Sequence, residues 1–597
     1  MSARRTGALL ALVLTVAVMG SGCTAPVLVE GTSVTVAASE SLFSYNPKTS
    51  YGNSIANSSI VSATNSQFSY YDNTPKLVTD DSFGSYRVIS RDPLTVKYTI
   101  RDGVSWSDGT RVDAADLLLA WAANSGSLNT KSFDASKYVD QETGKFTSAF
   151  PKNVVYFDGF SGNGLQLVTK TPTIGDGGRS LTLSYDKYFV DWQLVFGVGL
   201  PAHVVASKAL GIDDHQKAKD ALVSAITTKD RTALAKISRF WNTGFNFTNM
   251  PKDPELVVST GPYVMTNLVA NDHATLTPNP HYVGDHRPRF EKVTVKFISD
   301  PLAAVRALKA GEVDVIAPQS TDDVSKALSS TKDITVRGSF DGAYEHLDLQ
   351  FAHGRSGVFS TPLVRQAFLL TVPRQQILDR LVAPLQKRAR LRSSHVFLPG
   401  SDGYTQAIKA NGSAAYATVN VKGAKKLLVQ AGVVDPQVCI LFDPSNPRRV
   451  SEFGLIQKSA ALAGFAVTDC SSPDWRGLLG APGAYDAALY ALRPSTLAIT
   501  GVAANFRSTA NATNHSYYAN PKVDALIGEL ESSSDAAKQR ELLTLLDTQI
   551  WADAYGVPLY QFPTITAFRS TVAGVSSSPL APGILWNIWA WRPVKKG

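Results

Sequence analysis

Leu94-Thr-Val-Lys-Tyr-Thr-Ile100, running into Arg101-Asp-Gly-Val-Ser-Trp-Ser-Asp-Gly-Thr110, is the stretch from which this 597-residue chain is best read. Leu94, Val96, Tyr98 and Ile100 recur every second residue, which predicts a strand with one buried face. Two Asp-Gly pairs, at Asp102 and Asp108, then bracket Trp106, so tight bends hold a large aromatic in place. Asp113 is placed to cap a helix through Leu117-Leu-Leu-Ala-Trp121, with Asp116 in the first turn, where a carboxylate suits the helix dipole. Nothing here is a nucleophile, a general base or a metal cage. The stretch reads as a packed strand, turn and helix.

The same residues resemble a segment of the family 5 solute-binding proteins, which feed peptides and related solutes to ABC importers. Further stretches match that family in order: Thr260-Gly-Pro-Tyr263 with Asn279-Pro-His-Tyr282, then Ala307-Leu-Lys-Ala-Gly-Glu-Val-Asp314, then Val364-Arg-Gln-Ala367. Asn520-Pro-Lys-Val-Asp-Ala-Leu-Ile527 precedes Val557-Pro-Leu-Tyr560. The resemblance implies an α/β fold of two lobes, like periplasmic binding proteins, with an extra β-rich domain inserted in the first lobe and a hinge between lobes. It implies a peptide or other small polar solute as ligand, the membrane subunits of an ABC permease as partners, and no cofactor.

The local patterns divide the chain accordingly. Residues 1–22 form a signal peptide and 23–31 a tether. The first lobe takes 32–66, 190–340 and 556–597, the β-rich insert 67–189, and the second lobe 341–555. Crossings between lobes are expected at 337–342 and 554–558. Within the insert, 86–89, 94–100, 164–168 and 180–184 read as strands. In the second lobe, Val438 to Phe442, a helix over 449–463 and Phe465 to Cys470 form a βαβ unit, and a new strand begins at Leu347.

Arg4 and Arg5 precede an apolar run from Ala8 to Met19, then small residues lead to Cys23. This is a signal-peptide layout, and the run falls short of the ~20 residues a membrane span needs. The position resembles a lipoprotein processing site, with Cys23 acylated, although Gly20 stands where such sites carry Leu. The expected location is therefore the outer face of the cell membrane, the protein being anchored through a lipidated Cys23. An exported chain permits a disulfide between Cys439 and Cys470. Placing them near the start of one parallel strand and the end of the next argues against it, because Cα atoms must come within ~4.4–6.8 Å.

Hydrophobic content of 44% and charged content of 18% are those of a globular chain. The net charge of +8 is dispersed, and Lys387-Arg-Ala-Arg-Leu-Arg392 lacks interleaved aromatics, so it reads as solvated surface and no nucleic-acid partner is expected. His203 and His215 fit no common zinc or iron spacing, so no metal site is assigned. The expected assembly is a monomer.

Two function classes compete. A binding protein closes two lobes over a solute. An exported hydrolase needs a nucleophile with a base or paired carboxylates, yet the chain has no Gly-x-Ser-x-Gly elbow and no His-Glu-x-x-His helix. Binding is the better reading, with peptides first and sugars, metal chelates or opine-like solutes as alternatives. The resemblance places ligand contacts at Tyr51 and Asn53 in a first-lobe loop, and at Trp475, Leu492, Arg493 and Ser495 in the second lobe. Peptide-binding relatives hold the ligand's ammonium with an aspartate where Ser495 stands here. With Arg493 two residues before it, an anionic or blocked ligand end is expected.

Overall fold

The computed structural model describes residues 28–140, 143–159, 164–492, 499–508 and 514–594. The quoted stretch folds as its pattern dictates. Leu94–Ile100 is a strand whose four alternating apolar residues are all buried, and Trp106 is fully buried beyond it. Gly103 and Gly109 take left-handed φ of 83° and 87°, conformations that cost a side chain its freedom from steric clash but cost glycine nothing. Asp113 caps the helix Ala114–Ser125, and Asp116 reaches back to the Asp113 N–H at 2.9 Å, a reciprocal capping box.

That strand is central in a four-stranded antiparallel sheet, Gly84–Arg91, Leu94–Ile100, Ser180–Ser184 and Thr173–Gly175. This sheet is the β-rich insert. Residues 164–168 do not join it: Leu165–Leu167 is a single 3₁₀ turn with Leu165 and Val168 buried. Two apolar residues three apart match that turn as well as they match a strand. The helices Ala202–Leu210, His215–Thr228 and Arg231–Thr243 follow. One continuous hydrophobic core joins insert, helices and the strands Val29–Ala38 and Phe290–Phe297, so the insert is packed onto the first lobe rather than tethered to it.

The backbone of the molecule is a ten-stranded mixed sheet that runs through both lobes. Its middle is the pair Ile334–Leu349 and Gly556–Arg569, antiparallel from Ile334 opposite Arg569 to Asp348 opposite Gly556. The strand expected to begin at Leu347 therefore starts thirteen residues earlier and passes straight through Gly338 and Gly342. The sequence signal was weak because residues 334–341 are only half-buried or exposed, whereas 342–349 are buried. Register slips between Phe340 and Tyr344, opposite Gln561 to Pro563, where the ribbon passes from one lobe's core to the other's. The return strand pairs first with the second-lobe residues His346 to Asp348 and reaches that slip only at 561–563.

The second lobe has its own core, built on Leu347, Leu349, Ile440, Leu489, Val557 and Leu559. Gln437–Leu441 and Ala466–Asp469 are parallel strands flanking the helix Pro447–Ala461, as the βαβ pattern requires. The disulfide expectation is overturned: Cys439 and Cys470 are bonded, with Cα atoms 5.6 Å apart. Cys439 lies opposite Thr468 in mid-strand, and strand Ala466–Asp469 ends just before Cys470, so only a short diagonal separates the thiols. Among the described residues no helix is long and apolar enough to cross a membrane.

Candidate functional site

Strand directions locate the site. In the second lobe Gln437–Leu441, Ala466–Asp469 and Ala487–Leu492 are parallel, and the last runs antiparallel to Ile334–Leu349, Leu492 facing Tyr344. Their carboxyl ends thus point toward the hinge. In the first lobe Val29–Ala38, Phe290–Phe297 and Val315–Ile316 are parallel, and Ile316 pairs with Ala567 on the return strand. Their carboxyl ends point toward the hinge from the other side. Ligands in open α/β sheets bind outside strand carboxyl ends, and here both lobes present those ends to one gap.

In the first lobe the strand that ends at Ala38 leads on into the loop 44–53. Polar residues hold this loop in shape: Asn57 Oδ1 accepts from the Phe43 and Ser44 N–H groups, Ser44 Oγ donates to Asn246 Oδ1 at 2.7 Å, and Asn46 Nδ2 donates to the Trp241 carbonyl at 2.9 Å. Ser50 donates twice to Asp158 in the insert. Tyr51 is half-buried, edge-on to Phe43 at 5.2 Å and flat on Gly144, where a Cβ would come within 2.2 Å of its ring. Asn53 is exposed.

The second-lobe candidate Trp475 sits among arginines. Trp475 is buried, with two guanidinium groups over its ring, Arg449 at 5.1 Å and Arg476 at 4.6 Å from the centroid, contacts that cation–π attraction favours. Arg449 Nε donates to Glu345 Oε1 at 2.9 Å, and Arg448 lies 3.6 Å from Glu345 and 3.8 Å from Glu452. Arg476 is exposed. Of the other second-lobe candidates, Leu492 is placed by its backbone pairing with Tyr344. Arg493 and Ser495 lie outside the described residues.

The hinge itself carries polar residues that sequence patterning overlooked. Arg392, expected on solvated surface, is buried: it donates to the Ser394 carbonyl and Gln561 Oε1, both at 2.9 Å, and stacks 3.7 Å over Tyr344. Arg388 donates to the Gly338 carbonyl at 3.0 Å. A basic run gives no sign of which member turns inward, so only the fold reveals this. Behind the hinge, His346 Nδ1 and Tyr490 Oη each lie 2.9 Å from Asp348. Burial works against the Asp348 charge, but His346 and the Tyr490 hydroxyl hold its carboxyl below the usual range.

The lobes also meet away from the ribbon. Asp191 of the first lobe accepts the N–H groups of Ile499 and Thr500, at 2.9 and 2.8 Å, at the start of the second-lobe helix Ile499–Phe506. A carboxylate at that position satisfies free helix N–H groups and complements the dipole.

Two lobes on a two-stranded hinge, with strand ends converging on the gap, define a binding protein of the extracytoplasmic solute-binding class. The profile of bacterial extracellular solute-binding proteins, family 5 (middle region), matches residues 74–514, and the chain belongs to that family. It is 25% identical over 567 residues to an uncharacterised lipoprotein of Mycobacterium leprae, covering 93% of this chain and 92% of that one. It is 22% identical over 517 residues to the oligopeptide-binding protein OppA of Mycobacterium tuberculosis, covering 84% and 74%. The periplasmic EDTA-binding protein EppA shares the fold, with a TM-score of 0.75, 20% identity and coverage of 95% and 97%. The protein is thus a solute-binding protein of the kind that serves ABC importers, from a family of binding proteins rather than enzymes.

Proposed function

We propose that this protein captures an oligopeptide or a related polar solute between its lobes and delivers it to the membrane subunits of an ABC importer. The observation that carries the reading is the convergence of both lobes' strand ends on one gap spanned by a single ribbon. Strand ends that face a gap suit an extended peptide, whose main chain bonds without regard to sequence while water fills the side-chain pockets. The OppA relative supports peptides as the first ligand class.

Tyr51, Asn53, Trp475, Leu492, Arg493 and Ser495 are the proposed contacts. Cys23 is the proposed acylated residue, holding the mature protein as a monomer on the outer face of the membrane. The lobe and insert boundaries given above are part of the same reading. Replacing Cys23 by serine is expected to release exported protein into the medium; a variant that stays membrane-bound, beside a wild type without lipid, would show that no anchor exists.

The ligand's positive end is proposed to be blocked, absent or held elsewhere. No acidic residue occurs between Asp486 and Asp524. An ammonium closed into the gap beside Arg493 would lack a counter-charge, at a cost of about several kcal/mol. Calorimetry on one peptide with free and with acetylated N-terminus is expected to favour the acetylated form, and Arg493→Ala to reduce that preference. A strong preference for the free amine, unchanged in the variant, would refute this ligand polarity. The exposed Arg476 beside Trp475 favours, as a second reading, an anionic non-peptide solute such as a metal chelate.

A further inference from the structure

We propose that Asp108, His203 and His215 form a binding site for a divalent transition-metal ion of the zinc class, outside the inter-lobe gap. The three residues come from separate elements. Asp108 is in the turn after Trp106, His203 is the second residue of the helix Ala202–Leu210, and His215 is the first residue of the helix His215–Thr228. One donor atom from each lies within 4.8 Å of the other two. Tetrahedral zinc with ~2.0–2.1 Å bonds needs its donors about 3.3 Å apart. Asp108 Oδ2 and His203 Nε2 are already 2.9 Å apart, so the main adjustment falls on His215, whose side chain is 31% exposed and whose ring nitrogens lie 3.2 Å from Thr110 Oγ1 and Glu255 Oε1, contacts that one ring nitrogen would exchange for the ion.

The surroundings suit a cation. Glu255 Oε1 lies 3.2 Å from His215 Nε2, the carboxylate–imidazole pairing that orients a metal-binding histidine. Asp253 and Glu255 share one ammonium, Lys208, at 2.7 and 2.6 Å. With Asp108 the cluster holds three carboxylates against one lysine, and both imidazoles bind metal in the neutral form. Two imidazoles and one carboxylate select zinc, cobalt or nickel over calcium and magnesium. Asp108 and Glu255 are partly exposed, which gives the ion a path in.

One feature limits the affinity. His203 is fully buried, and its Nδ1 has no partner among the described residues. A metal on Nε2 leaves the ring proton on Nδ1, a buried donor without an acceptor. The site should therefore bind in the micromolar range rather than far tighter. The expected consequence is bracing: the ion ties the Trp106 turn to the two helices that support the insert.

The test uses the tag-free mature chain, stripped over chelating resin and titrated with zinc chloride by calorimetry and with cobalt chloride by absorption. One equivalent of zinc, a tetrahedral cobalt spectrum and no response to calcium are expected. Glu255→Gln should weaken zinc about tenfold, and His215→Ala or Asp108→Asn by more. Should Asp108→Asn fail to fold, the half-exposed His215→Ala decides alone. Absence of zinc binding, or binding that survives these substitutions undiminished, overturns the site.

Discussion

Arg374→Met is expected to destabilise the second lobe by about 2–5 kcal/mol, lowering its thermal midpoint while keeping an unbranched apolar stem in place. Arg374 is among the largest fully buried side chains, and no carboxylate is bonded to it among the described residues. Its guanidinium donates to three main-chain carbonyls, of Pro558 at 3.0 Å, Tyr416 at 3.3 Å and Arg392 at 2.5 Å. Burial opposes the charge and lowers the group from its ordinary value to about 10, roughly 3 kcal/mol against the cation. Three hydrogen bonds to a charged donor are worth about 1.5–3 kcal/mol each. The bonds prevail, and methionine would remove the guanidinium from three buried carbonyls at once. Those carbonyls sit on the return strand, on the segment carrying Arg392 and beside Trp551, so the loss should spread to the hinge. Calorimetric unfolding of wild type and variant checks this. An unchanged midpoint would mean that water replaces the guanidinium.

Glu452→Gln is expected to act in the opposite direction, by a margin that grows as pH rises from about 4.5 to about 8. Glu452 is fully buried beside Glu345, with Arg448 and Arg449 adjacent and the Tyr560 hydroxyl donating to it. Burial, reinforced by the charge of Glu345, raises its carboxyl from 4.5 to about 8. Between those values the folded state holds a proton that the unfolded state has released. Stability is therefore complete below about pH 4.5 and is lost as pH rises toward 8, by at most about 5 kcal/mol for this shift. Glutamine mimics the neutral acid and keeps an acceptor for Tyr560. The variant should match wild type near pH 5 and melt several degrees higher near pH 8.5. Parallel pH profiles for the two proteins would refute the assignment. His395 supplies the other limb: burial lowers it from 6.5 to about 3, so its contribution is present above pH 6.5 and is lost as pH falls through that window. For these two groups taken together, stability is greatest between about pH 4.5 and 6.5.

Much of the fold was legible where neighbours in sequence settle it. The alternation from Leu94 to Ile100, the left-handed Gly103 and Gly109, and the Asp113–Asp116 cap are all decided within a few residues, and each folds as read. So is the parallel pair around the helix Pro447–Ala461. The order of family-like stretches was enough to imply two lobes and an insert. The candidate site was legible only by resemblance, since Tyr51, Trp475 and Leu492 are residue types found in any core.

Tertiary structure decided whatever depends on partners far along the chain. Residues 334–341 extend the hinge strand because residues 563–569 pair with them, and their own half-exposed pattern carries no such signal. Cys439 and Cys470 bond because a four-residue strand ends just before the second thiol, a length that local patterning leaves uncertain by several residues. Arg392 turns inward because Gln561 and Tyr344 wait for it, 169 residues away in one case. Asp108, His203 and His215 meet only because two helices dock beside the Trp106 turn. Local geometry is set by backbone sterics and side-chain period, which the sequence carries residue by residue. Long-range pairing is set by which surfaces exclude water together, and only the folded chain brings those surfaces into contact.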